Sequence, residues 1–207
     1  MSMDNWYPTT LNVNAGGSLH TLRFLAENFA RDRAFCDGEF GIYQAATAEE
    51  VLKRFPKATV YLFDFDHTID AAKKRLSRFR RRVHGFGNTT RHLDSYNWPL
   101  MKLIARHKGE PLFDYIYLDG AHTVAVDALT FFLGDRLLRV GGYVEFDDYR
   151  WRLRGSSLDP SRVPVIAEQY TDEQIDAYQV KMIVDHLVMP DPRYRAIAGK
   201  RIFQKVA

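Results

Sequence analysis

Carboxylates at the ends of apolar runs carry most of the chemistry this sequence can offer. YLDGAH, Tyr117 to His122, closes a hydrophobic stretch with Asp119 and, three residues on, His122, while VEFDDY, Val144 to Tyr149, closes another with Asp147 and Asp148. In an open α/β sheet ligands bind outside the carboxyl ends of the strands, so acids placed there face a site. Three such carboxylates suit a hard divalent cation such as Mg²⁺, which keeps water and needs few protein oxygens. An imidazole beside them titrates near neutrality and can remove a proton from a hydroxyl. The plainer roles, helix capping or pairing with Arg150 and Arg152, account less well for acids that coincide with Gly141 and Gly142 at adjacent strand ends.

The elements that must position these acids follow from hydrophobic spacing. A helix opens at Ser18 with apolar residues at Leu19, Leu22, Leu25, Ala26 and Phe29. A strand, AFCDGEFGIY, leads into a helix over ATAEEVLKRF, where Thr47 followed by Glu50 reads as a capping box, and Pro56 stops that helix. A strand at Thr59–Asp66 ends in acids, and the unit then repeats: helix Ile69–Arg81, strand Val83–Phe86, helix Trp98–His107, strand Phe113–Leu118, helix Val124–Leu138, strand Tyr143–Phe146. Alternation of this kind predicts an α/β fold, a Rossmann-like, doubly wound and mostly parallel sheet with helices on both faces. Beyond it, TDEQIDAYQVKMIVDHLVM reads as one long helix, and RYRAI and KRIFQKV as an antiparallel hairpin joined at Ala-Gly. The expected organisation is a single domain, 1–207, with an N-terminal lead-in and helix over 1–34, a core over 35–150, and a C-terminal helix and hairpin over 151–207.

Composition bounds the partners. The chain has 207 residues, is 46% hydrophobic and carries a formal charge of +3, with the basic excess gathered in Lys73–Phe86. A run without interleaved recognition aromatics reads as a solvated helix face, so no nucleic-acid partner is expected. The lone Cys36 has no disulfide partner and suits a reducing compartment. The N-terminal residues have neither a basic start nor an apolar core, and no run reaches the length of a membrane span. A cytoplasmic protein is expected, with no membrane partner; the sequence leaves a homo-oligomer open.

The remaining strand ends supply weaker signals. GEFGIYQAAT places Glu39 and Gly41 at a tight turn toward a helix N-terminus, where a ligand can approach the main chain. Asp64, ending the next strand, can accept both hydroxyls of a ribose, while Asp66 reads as a cap for the following helix. Gly87 and Asn88 are small and polar enough to border an adenine or simply to turn the chain.

Taken in order, EFGIYQAAT, YLFDFD, YLDGAHT and RVGGYVEFDDY resemble the class I S-adenosylmethionine-dependent methyltransferases, and most nearly the metal-dependent macrocin-type sugar O-methyltransferases. The likeness runs from about Phe35 to the C-terminus, with DGAH and FDDY its most specific parts, and Ala45 and Ala46 stand where family members often carry glycine. It implies that Glu39, Gly41 and Tyr43 border the methionine end of the cofactor, that Asp64 binds its ribose, and that Asn88 lies near its adenine. Asp119, which also borders the cofactor, would hold Mg²⁺ with Asp147 and Asp148. His122 would take the substrate proton beside Asp119. The implied partner is a small-molecule hydroxyl acceptor such as a sugar or aromatic alcohol.

Two other readings compete. FDFDHTI, Phe63–Ile69, matches the nucleophile strand of haloacid dehalogenase-type phosphatases, in which Asp64 attacks phosphorus, Asp66 serves as acid and base, and Asp147 and Asp148 bind metal. A methyltransferase-like fold can also persist as a non-catalytic binding protein, because fold alone does not establish function. Acceptor contacts are expected from Trp6 and Tyr7, from Arg150–Ile166, and from Tyr149, Trp151 and Arg152.

Overall fold

A computed structural model describes residues 18–91 and 93–207; Trp6 and Tyr7 lie outside the described residues. Seven strands form one sheet: β1 (Cys36–Phe40), β2 (Thr59–Phe65), β3 (Val83–Asn88), β4 (Phe113–Leu118), β5 (Leu138–Phe146), β6 (Tyr194–Ala198) and β7 (Ile202–Lys205). Their order is β3-β2-β1-β4-β5-β7-β6. The first five strands run parallel, and β7 is inserted antiparallel to both β5 and β6. The sheet is therefore the expected mixture, a parallel core closed by an antiparallel hairpin.

Both faces are covered, which is why the central strands read as continuous apolar runs; all six residues of β4 are buried. On one face α1 (Leu19–Asn28), α2 (Ala46–Arg54) and α3 (Asp66–Arg75) pack Leu22, Leu25, Val51, Leu52 and Ile69 against Val60 and Leu62. On the other, α4 (Asn97–His107) and α5 (Leu129–Leu137) pack Leu100, Leu103, Phe131 and Leu137 against Phe40, Phe63, Ile116 and Val144. Phe40 stacks on Phe63 at 4.3 Å and Phe63 on Phe86 at 4.9 Å, so one aromatic row ties β1, β2 and β3 together beneath the strand ends.

Several local expectations are corrected. Thr47 does not cap α2: the N-cap is Ala45 in a left-handed conformation, and the Thr47 hydroxyl instead accepts the Ser18 N–H at 2.9 Å, tying the start of α1 to that of α2. Asp66 is the first residue of α3 and makes no side-chain cap. Val124–Ala128 forms a π-helical turn before α5, and β5 begins at Leu138, five residues earlier than expected. The long C-terminal helix is broken. After α6 (Val165–Gln169) come α7 (Asp172–Asp176), opened by a Thr171–Gln174 capping box, and α8 (Gln179–Ile183), with Ala177 extended between them. The break lets the Gln179 side chain accept the Val124 N–H at 2.9 Å and donate to the Gln174 carbonyl at 3.0 Å.

The basic run Lys73–Phe86 has largely local work to do. Arg75 and Arg78 reach Glu49 on α2 at 2.8 and 3.2 Å. Arg82 donates to the carbonyls of Leu52, Phe55 and Ala58, satisfying groups that the end of α2 leaves open. Among the described residues, no helix is long and apolar enough to cross a membrane.

Because Phe63 is fully buried and stacked on both sides, Phe63→Ala is expected to lower unfolding free energy by about 3–5 kcal/mol. Urea denaturation followed by circular dichroism checks this; a loss below about 1 kcal/mol would show that the aromatic row does not hold these strands.

Candidate active site

The carboxyl ends of β1, β4 and β5 meet the N-termini of α1 and α2 around a cavity of about 410 Å³, lined by Ser18, His20, Glu39, Gly41, Tyr43, Thr47, Tyr117, Asp119, Asp147 and Arg201 among others. Its size falls in the range of small-molecule sites. Gly41 makes the closure feasible: it sits at φ +79°, and a Cβ there would fall 2.1 Å from the Asp119 carbonyl oxygen. Tyr43 and Ala45 continue the turn in left-handed conformations, each costing about 1–2 kcal/mol for an L-residue. Tyr43 is left standing over the opening, 84% exposed.

Alternation along the strands puts Asp37, Glu39, Tyr115, Tyr117 and Glu145 on one sheet face, with Asp37 opposite Tyr115 and Tyr117 between Glu39 and Glu145. Glu145, fully buried, accepts hydrogen bonds from the Tyr115 hydroxyl, the Thr21 hydroxyl at 2.8 Å and the Arg201 guanidinium. Glu39 and Asp37 are buried too, but each keeps one oxygen without a partner. Burial and the charge of Asp37 drive the Glu39 carboxyl well above the usual range, and burial with Glu145 pushes Asp37 up to about 7.

At the rim, Asp119 is pushed up to about 7 by burial and the neighbouring Asp147 charge, while the single Tyr117 hydroxyl proton is shared between the two acids, the phenol oxygen lying 3.0 Å from Asp119 and 2.6 Å from Asp147. Burial also works against ionised Asp147, but Arg201, 2.7 Å away, and Tyr117 outweigh it and hold that carboxyl low. His122 and Asp148 both have left-handed backbones, at φ +56° and +55°, and face each other with Nε2 3.5 Å from Oδ2. The Trp151 ring lies 4.8 Å from the His122 ring.

The loop carrying His122 is pinned from below. The Tyr96 hydroxyl donates to buried Asp127 and accepts the Ala121 N–H at 3.0 Å, and the backbone N–H groups of Ala121 and His122 favour the Asp127 carboxylate. Gly120 is required beside them, since a Cβ would lie 2.3 Å from the Tyr96 oxygen. Sequence reading missed Tyr96, Asp127 and Arg201; none has a local signature, because their partners lie 25 to 56 residues away.

The expected site residues thus divide. Glu39, Gly41, Tyr43, Asp119 and Asp147 share one cavity. Asp64 ends β2 next to it, with one oxygen accepting the Ile42 N–H at 2.8 Å and the other the Phe65 N–H at 2.6 Å, which leaves each oxygen a further lone pair. Asn88, buried at the end of β3, donates to the Thr89 carbonyl and has an unpartnered Oδ1. For a divalent cation, the donor chemistry fits at Asp119, His122 and Asp148, whose ligand atoms lie within 4.8 Å of one another; Asp147 turns to Arg201 and Tyr117. For an S-adenosylmethionine-like molecule, the orphaned Glu39 oxygen and the space under the Gly41 turn fit a polar ligand bearing hydrogen-bond donors. Of the expected acceptor contacts, Trp151 adjoins the rim, whereas Tyr149 donates to Asp185 at 2.8 Å and Arg152 lies over Tyr178.

The phosphatase reading needs Asp64 and Asp147 on one cation, but their strands, β2 and β5, are separated by β1 and β4, a span of roughly 14 Å at ~4.8 Å per strand step. The sheet order, with an antiparallel strand set between the fifth parallel strand and the edge, is that of the class I methyltransferase fold, and O-methyltransferases are among the structural neighbours.

Three solved structures show the likeness. A provisionally assigned caffeoyl-CoA O-methyltransferase from Staphylococcus aureus superposes with a TM-score of 0.61 at 15% identity, over 90% of this chain and 83% of its own. The O-methyltransferase TomG from Streptomyces achromogenes, in complex with SAM, gives 0.55 at 14% identity over 84% and 74%. The methyltransferase MycE of the mycinamycin biosynthetic pathway, in complex with Mg, SAH and mycinamycin VI, gives 0.55 at 16% identity over 91% of this chain and 50% of its own. No family model and no curated protein matches the chain.

Asp37 ionises near pH 7 in the fold against an ordinary 3.8, so between roughly pH 4 and 7 the folded state holds the extra proton and stability falls as pH rises. Asp37→Asn removes that loss: its melting temperature is expected to exceed the wild-type value above pH 7, with the gap closing below about pH 4. A gap independent of pH in thermal melts would rule out this titration.

Proposed function

We propose that this chain transfers the methyl group of S-adenosylmethionine to a hydroxyl of a small molecule, in the manner of the metal-assisted sugar O-methyltransferases. The observation that carries the reading is Glu39, a buried carboxyl with an unpartnered oxygen, facing the cavity that opens beneath the Gly41 turn. The neighbours seen with SAM, or with Mg and SAH, support the same cofactors here. When bound, S-adenosylmethionine supplies an electrophilic methyl on a good leaving group, and a divalent cation would acidify a hydroxyl that it touches.

The residues have distinct tasks. Glu39, Gly41 and Tyr43 would border the methionine end, Asp64 the ribose and Asn88 the adenine, with Asp119 between cofactor and acceptor. His122 would take the acceptor proton at Nε2, and the Asp148 carboxylate 3.5 Å away would stabilise the charge that the ring then gains. Tyr96 and Asp127 fix the backbone of that loop, so the imidazole needs little reorganisation at the moment of transfer. Trp151 forms an apolar wall against His122, suited to the ring of a sugar or aromatic alcohol. A cytoplasmic location agrees with the unpaired Cys36.

Calorimetry should show S-adenosylmethionine binding to the wild-type chain. His122→Ala should then leave that affinity within about threefold while lowering turnover on accepted hydroxyl substrates by about 10²–10⁴. Undiminished turnover would remove the base role; absent cofactor binding would sink the methyl-transfer reading as a whole. Binding without turnover on any hydroxyl panel would favour the non-catalytic alternative.

A further inference from the structure

The rim holds three carboxylates, yet they are not equivalent. Arg201 is the turn residue immediately before β7, which lies antiparallel along β5, and its carbonyl accepts the Phe146 N–H at 2.9 Å. From there the guanidinium spans two acids on one face of β5, with Nε on Glu145 and Nη1 2.7 Å from Asp147. Arginine suits this task because its planar fork presents several donors in fixed directions.

The rest of Asp147 is occupied as well. Its Oδ1 accepts the Asp148 N–H at 2.9 Å in addition to Arg201, and its Oδ2 accepts the Tyr117 hydroxyl at 2.6 Å. Arg201 cannot readily swing away, because Glu145 is fully buried and would be left as an uncompensated charge. Asp119 and Asp148 differ. Among the described residues the Asp119 carboxylate has only a share of the Tyr117 hydroxyl, at Oδ2, and the Asp148 side chain is 40% exposed with His122 beside it.

The geometry points to Arg201 as the residue that withdraws Asp147 from cation binding and limits this rim to a two-carboxylate site at Asp119 and Asp148. The inference deepens the methyl-transfer reading and rests on its divalent cation. Two carboxylates are a workable number for a cation such as Mg²⁺, which completes its shell with water and substrate oxygens. A site with so little protein charge binds its cation weakly alone and more tightly once a hydroxylated acceptor adds oxygens.

Titration of Mn²⁺ into the purified chain, followed by electron paramagnetic resonance without cofactor or acceptor, tests the assignment. Asp119→Asn and Asp148→Asn should each weaken binding by at least about tenfold, and Asp147→Asn should leave it within about threefold. The double variant E145Q/R201Q removes the buried ion pair as a unit and should tighten binding by about tenfold, as Asp147 becomes available. Circular dichroism establishes that the double variant is folded; if it is not, Asp147→Asn decides alone.

Loss of affinity in Asp147→Asn comparable to that in Asp148→Asn overturns the inference, as does a folded double variant that binds no more tightly than wild type or a wild-type chain that takes up no Mn²⁺. A chain that binds S-adenosylmethionine by calorimetry but fails these tests loses only the cation assignment. One that passes them without binding cofactor loses the methyl-transfer reading.

Discussion

A single guanidinium sets the electrostatics of the sheet's carboxyl edge. Asp37 and Glu39 on β1 and Glu145 on β5 share one sheet face, Asp119 and Asp147 follow directly on β4 and β5, and Arg201 bonds two of these five acids. Buried carboxylates without partners are costly, and the response differs along the row. Asp147 is held as a charge by Arg201 and Tyr117, and Glu145 accepts hydrogen bonds from Arg201, Tyr115 and Thr21, whereas Asp37, Glu39 and Asp119 shift toward the protonated form. The C-terminal hairpin is thus a working part of the candidate site as well as an edge to the sheet.

Backbone strain gathers at the same edge. Tyr43, Ala45, His122 and Asp148 are four of the five non-glycine residues with positive φ among the described residues, and all follow strands β1, β4 or β5. Such conformations persist when surrounding contacts over-determine them. For His122 those contacts are visible: Tyr96 and Asp127 hold the preceding loop, and Gly120 leaves room for the Tyr96 ring. The consequence is an imidazole delivered to the rim by backbone geometry, next to Asp148 and Trp151.

Much of the architecture was legible in the chain because burial on both faces leaves a strong imprint on composition. FDYIYL reads as a buried strand since every residue of β4 is inside, and the hairpin lies where expected, although its turn is Gly199–Arg201 and Ala198 is still paired in β6. The failures were local competitions that spacing cannot adjudicate. Thr47 had the look of a cap, but its hydroxyl serves Ser18, 29 residues earlier. The stretch from Thr171 to Met189 had helical periodicity, but the side-chain bonds of Gln179 reward a break that reorients the segment.

At the site, the strand ends that carry acids could be read from the chain, because strand termini and carboxylates are local features: Glu39, Asp64, Asp119 and the Asp147–Asp148 pair all fall where expected. How those acids share their charge depends on contacts made across the folded sheet. Asp147 is bonded to Arg201, 54 residues further along, while Asp148 turns to His122. The physical reason is that the antiparallel insertion of β7 beside β5 brings a distant guanidinium within hydrogen-bonding distance of one aspartate and not its neighbour. Adjacent residues at a strand end point in different directions, so a pair that is equivalent in sequence is divided in space.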